Sequence, residues 1–116
     1  MKRIAVILLV AMWPVIGWAD GFVSGNDLHQ GAEAYHRADA LGATPVDGFR
    51  AGVFGGYVTG VFDAGNGTRF CAPNTVMKQQ VLAVAEKFID AHPELWQYDG
   101  SSILTAAFKS TFSCGK

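Results

Sequence analysis

RFCAPNTVMKQQVLAVAEKFIDAHPE (residues 69–94), a short connection, and then SSILTAAFKSTFSC (residues 101–114) decide the fold of this chain. Cys71 opens one amphipathic helical pattern and Cys114 closes the next. Met77, Val81, Val84, Ala85 and Phe88 recur at helical spacing, with Lys78, Gln79, Glu86, Lys87 and Asp90 outside them. That helix is expected to begin near Asn74 or Thr75, just after Pro73, and to end at Pro93. The second pattern follows the Asp99-Gly100 turn, with Ile103, Leu104, Ala107, Phe108 and Thr111 facing inward. The two cysteines are the only ones in the chain. In an oxidising compartment they are expected to pair and staple the helical hairpin end to end, leaving no free thiol for chemistry.

The N-terminus supplies such a compartment. Lys2 and Arg3 form a basic start, Ile4 to Ile16 is an apolar run broken only by Pro14, and Gly17-Trp18-Ala19 places small residues where a signal peptidase reads. Residues 1–19 therefore read as a secretory signal peptide, with cleavage after Ala19. The run falls short of the roughly 20 residues of a spanning helix, so no membrane association is expected once it is removed. The remaining single domain, residues 20–116, loses two of the nine basic side chains and keeps all ten acidic ones, for a net charge near −3. That balance argues against nucleic acid, which needs clustered Lys and Arg.

Two further helices precede the stapled pair. The first is expected from about Asn26, as its cap, to Ala38, with Leu28, Ala32 and Tyr35 lining one face. The second runs from about Gly48 to Ala64, with Asp47 placed to cap it. Phe49, Val53, Tyr57, Val61 and Ala64 form one stripe, and Phe54, Val58 and Phe62 a neighbouring one. A helix apolar nearly all round is expected to be central and buried. Gly52, Gly56 and Gly60 recur every fourth residue and make a smooth groove. Close packing of another helix of the same chain is the expected use, with a homodimer groove as the alternative. Asn66-Gly67 marks a turn. No strand pattern is present, so the fold class is all-α, a small bundle of four main helices with one disulfide stapling the C-terminal hairpin.

Candidate chemistry is sparse. His29, Glu33 and His36 share one helical face at i, i+4 and i+7, a spacing that could hold zinc or serve as a solvated polar face. His92 precedes Pro93 at a helix end, where a cation suits the macrodipole. No nucleophile–base–orienter set, phosphate loop or paired-carboxylate site is visible, and no cofactor is called for. The chain reads as a binding protein rather than an enzyme. Glu94, Leu95, Trp96, Gln97, Tyr98 and Asp99 stand apart, because they bring Leu, Trp and Tyr to the tip of the hairpin. Trp and Tyr dominate binding hot spots; the alternative use of Leu95 and Trp96 is to cap the bundle core.

Several short segments, in order and with fitting spacing, resemble the Rap/Tai immunity proteins of bacterial type VI secretion systems. They are Gly25-Asn26-Asp27-Leu28, Gly56-Tyr57-Val58-Thr59-Gly60-Val61, Phe70-Cys71-Ala72-Pro73, Gln79-Gln80, His92-Pro93-Glu94 and Phe112-Ser113-Cys114. The resemblance implies an all-helical periplasmic protein, tending to dimerise, that blocks a papain-like peptidoglycan amidase effector by inserting a loop into its catalytic cleft. Residues 94–99 are the loop expected to do so here. The chain departs from the family where a second disulfide would join the first two helices, at about Ala32 and Phe54, and where Ser113 replaces the usual proline. A different class of function, a general periplasmic chaperone with one disulfide, is the alternative the sequence leaves open.

Overall fold

A computed structural model describes residues 21–115; the expected signal peptide and its cleavage point lie outside the described residues. Four α-helices, α1 (Gly25–Arg37), α2 (Pro45–Gly65), α3 (Lys78–Ala91) and α4 (Gly100–Thr111), pack around one core, with a 3-10 turn at Pro93–Leu95 between the last two. No helix among the described residues is long and apolar enough to cross a membrane. The Cys71–Cys114 bridge is formed, with the two Cα atoms 4.6 Å apart. Beside it the Cys71 N–H donates to the Phe112 carbonyl at 2.7 Å.

The helix starts differ from the sequence expectation, and in each case hydrogen bonding explains why. Ser24, not Asn26, caps α1: its hydroxyl accepts from the Asp27 N–H, and the Asp27 carboxylate accepts from the Ser24 N–H at 2.9 Å. This is a capping box. Thr44 does the same for α2 with Asp47, which is the reciprocating third residue and not the cap. Pro45 then fits the first helical position, where a missing N–H costs nothing. The third helix starts at Lys78 rather than near Asn74, because the Val76 N–H closes a turn onto the Pro73 carbonyl.

Leu28, Phe54, Val58, Phe70, Ile89, Leu104 and Phe108 are the largest fully buried side chains. Phe70 enters the core directly after the Asn66-Gly67 turn and lies against Gly65, where an added Cβ would fall 2.6 Å from its ring. Gly67 supplies the positive φ, +89°, that this turn requires. Phe62, Phe70 and Phe108 then meet at ring-centroid distances of 5.1 to 5.4 Å.

The α2 expectation is the main correction. Its core face is Ala51, Phe54, Gly55, Val58, Phe62 and Gly65, the neighbouring stripe of the sequence reading. Phe49 and Val53 instead face outward at 73% and 47% exposure, and Tyr57 and Val61 are only partly buried. Gly52, Gly56 and Gly60 are exposed too, and a Cβ built at any of them meets nothing within 4 Å. Among the described residues, then, no helix of this chain uses the glycine groove. Periodicity could not separate the two stripes, because both are apolar.

Tyr35, Met77 and Thr111, expected inward, are exposed. The α1–α2 seam closes through Gly31, where a Cβ would come 2.8 Å from Phe54 Cβ. Ala32 and Phe54, near where the family's second bridge would lie, are both buried in the core there. Tyr35 of α1 lies over Phe54, with ring centroids 6.0 Å apart.

Candidate functional site

Residues 93–99 cross the open end of the hairpin, opposite the disulfide, and are tied to the start of α1. The first turn of a helix carries N–H groups with no partner inside the helix. Here the Gly25 N–H donates to the Tyr98 carbonyl at 2.9 Å, and the Asn26 N–H donates to the Trp96 carbonyl at 2.7 Å. The Gly100 N–H returns the link to the Val23 carbonyl at 2.8 Å. Gly25 is required by this approach, because a Cβ there would lie 2.6 Å from the Trp96 Cα.

The six candidate side chains divide. Leu95 and Trp96 turn inward and pack against the core. The Trp96 indole N–H donates to the Ile89 carbonyl at 2.8 Å, and its ring stacks on His29 with centroids 3.7 Å apart. Asp99 turns in as the cap of α4. Its carboxylate accepts from the Ser102 N–H, from the Ser101 and Ser102 hydroxyls and from the Gly21 N–H. Glu94, Gln97 and Tyr98 remain outward, Tyr98 at 56% exposure. The arrangement can present these three side chains on a backbone already held in place.

The Ser101 hydroxyl, followed by the Ser102 and Gly21 donors, holds the Asp99 carboxyl below its usual range, against the opposing effect of partial burial. Burial pushes the nearby Tyr57 phenol up, and the charge on Asp99 adds to this. Because the folded value of Asp99 lies below the unfolded one, its contribution to stability is present above about pH 3.9 and lost as pH falls through the folded value. Asp99→Ala is expected to cost about 1 kcal/mol at pH 7 as a lost cap, with a smaller penalty at pH 2. Urea melts at the two pH values check this; an equal cost at both would remove the charge from the account.

The three candidate metal ligands do not converge. His29 Nε2 lies 3.2 Å from Glu33, but His36 Nε2 meets Glu86 of α3 at 2.7 Å. His29 Nδ1 is buried without a hydrogen-bond partner; Asp90 is its nearest carboxylate, at 3.6 Å. Among the described residues no group of three or more His, Cys, Asp or Glu is placed to hold a metal ion. These side chains join α1 to α3 instead. His92 Nδ1 lies 2.8 Å from the Phe88 carbonyl one turn back in α3. The ties from α1 to the loop, and the His29–Trp96 stack, were missed by sequence reasoning. Ser24-Gly-Asn-Asp27 was the available signal for where α1 begins, and nothing local announced the stack.

The described residues thus form a small all-helical domain, stapled by one disulfide, that offers a braced loop with three outward side chains. The sequence profile of the Rap1a immunity proteins matches residues 24–114, and the chain belongs to that family. Membership implies binding of a cognate effector protein. A search of curated proteins finds no match to the chain.

Proposed function

We propose that this protein is a periplasmic immunity protein of a type VI secretion system that binds a peptidoglycan amidase effector and blocks its catalytic cleft with the 94–99 loop. The observation that carries this reading is the bracing of the loop by the first two N–H groups of α1. A loop ordered before binding loses little entropy on binding, so a few outward side chains suffice for tight occlusion. Tyr98 is the central anchor, with Glu94 and Gln97 beside it. Inhibition is stoichiometric and needs no cofactor. The test is capture of periplasmic amidases by the oxidised chain, with amidase activity measured alongside. One-to-one capture with lost activity is expected, and Tyr98→Ala should weaken it by about thirtyfold, as for a hot-spot residue. Undiminished capture by Tyr98→Ala would move the contact elsewhere.

We further infer that the outward face of α2 pairs with the same face of a second copy. Phe49 projects from this face and Gly56 and Gly60 leave a trough on it, so the face is complementary to itself, as a two-fold contact requires. Gly56→Ala separates the two roles of the face. It should stabilise the isolated subunit by up to about 1 kcal/mol, because Ala is the better helix former and nothing fills the space. It should also weaken dimerisation by narrowing the trough. Sedimentation across a concentration series reads this; a monomer at all concentrations in the parent chain would sink the dimer.

A further inference from the structure

A groove of about 260 Å³ runs along the outer face of α4, lined by Arg69, Ser101, Ser102, Thr105, Ala106 and Lys109. We propose that it is a second docking site for the partner protein and takes an acidic segment of it. The proposal rests on the immunity reading for the partner's identity, but the groove's chemistry stands on its own residues.

Two cations reach the groove from different elements, Arg69 from the α2–α3 connection and Lys109 from the last turn of α4. Neither has a carboxylate within ion-pair distance among the described residues, where Arg37 with Asp47 is the ion pair that uses Arg or Lys. Lys109 has a local reason for its place, since a cation suits a helix C-terminus. The Arg69 guanidinium makes no ion pair among the described residues; only its backbone N–H is engaged, closing the turn onto the Gly65 carbonyl at 2.8 Å. Small side chains line the groove between the two cations, so nothing bulky excludes a polypeptide segment.

Asp99 is the acid closest in sequence, and it does not compete. Its carboxylate is taken up by the Ser101 and Ser102 donors and the Gly21 N–H, where it caps α4. The groove also begins where the loop ends, since Ser101 and Ser102 directly follow Tyr98-Asp99-Gly100. A partner engaging Tyr98 therefore meets the two cations along the same helix. On a chain with a net negative charge, a local pair of unpartnered cations sets orientation and association rate by complementarity. A partner segment carrying Asp or Glu fits that field; a basic one does not.

The first arm uses acetyl-tetraglutamate amide as probe, followed by amide and Arg side-chain NMR on the oxidised chain produced through its own leader. Shifts should concentrate on Arg69, Ser102, Thr105, Ala106 and Lys109. R69Q/K109Q should weaken binding at least tenfold while lowering the melting temperature by no more than a few degrees, the loss expected from the exposed Lys109 cation at the end of α4. Shifts of equal size around Lys78 and Lys87 would overturn the groove as a site. Equal binding of inorganic phosphate would reduce it to a simple anion site and overturn the docking claim. The second arm measures effector capture by the same double variant. An association rate at least tenfold slower, with a shallower salt dependence, supports docking; an unchanged rate overturns it while leaving the immunity reading intact. Peptide binding at the groove with no effector captured would instead overturn the immunity reading and keep the acidic-segment site.

Discussion

Replacing Cys71 and Cys114 together by serine is expected to lower the free energy of unfolding by about 4 kcal/mol, from the loop-closure entropy that the bridge removes from the unfolded chain. The bridge spans a sequence separation of 43 residues. Both cysteines are exposed in the folded protein, so serine leaves no cavity and the effect falls almost wholly on the unfolded state. For a domain of this size the shift in melting temperature is on the order of 20 °C. Small domains are stable by only about 5–15 kcal/mol, so this is a large part of the margin. Calorimetry of the oxidised chain and the double variant checks it. A loss below about 1 kcal/mol would mean that the reduced, unfolded chain already holds the hairpin together. The bridge lies at the opposite end of α3 and α4 from the loop. Variant protein kept folded in the cold should therefore bind its partner as the parent does.

The second large effect concerns Trp96. Trp96→Ala is expected to destabilise the fold by about 3 kcal/mol, the low end for truncating a large core aromatic because the residue is partly exposed. It removes the stack on His29, the hydrogen bond to the Ile89 carbonyl and the packing that seats the loop. Trp96→Phe should recover the stack and cost about 1 kcal/mol for the lost indole hydrogen bond, the Ile89 carbonyl keeping the His92 N–H as a donor at 3.2 Å. Tyr98→Ala, two residues on, should leave stability within about 0.5 kcal/mol, as an exposed substitution does. The pair separates two uses of one loop: Trp96 holds it and Tyr98 presents it. Urea melts of the three variants decide this. A Trp96→Ala chain as stable as the parent would mean that the α1 hydrogen bonds alone hold the loop.

How far the site was legible follows from the same two residues. Aromatic residues between two helices mark a candidate contact, and that much is local. Which ring turns inward depends on a histidine from α1, distant in sequence, as well as on a nearby carbonyl of α3, and no spacing rule carries the first of these. The α2 stripes fail for a related reason. Phe49/Val53 and Phe54/Val58 are equally apolar, and only the close approach of α1 at Gly31 selects the second pair for the core. The caps of α1 and α2 were expected at Asn26 and Asp47, two and three residues past Ser24 and Thr44, because a capping box puts more than one capping residue type in range. Asp27 and Asp47 are each the third helical residue, reaching back to Ser24 and Thr44.

The sequence by itself determined the class of this protein: four amphipathic or apolar helical segments, a pair of cysteines at the ends of the last two, and the ordered segments that resemble one family. These are properties of spacing and composition, and helical period and loop-closure entropy act on them directly. The tertiary structure alone decided which face of α2 is left open, which loop side chains point outward, and that Arg69 and Lys109 line one groove. Each depends on contacts between residues far apart in the chain, where packing chooses among faces that local chemistry makes equivalent.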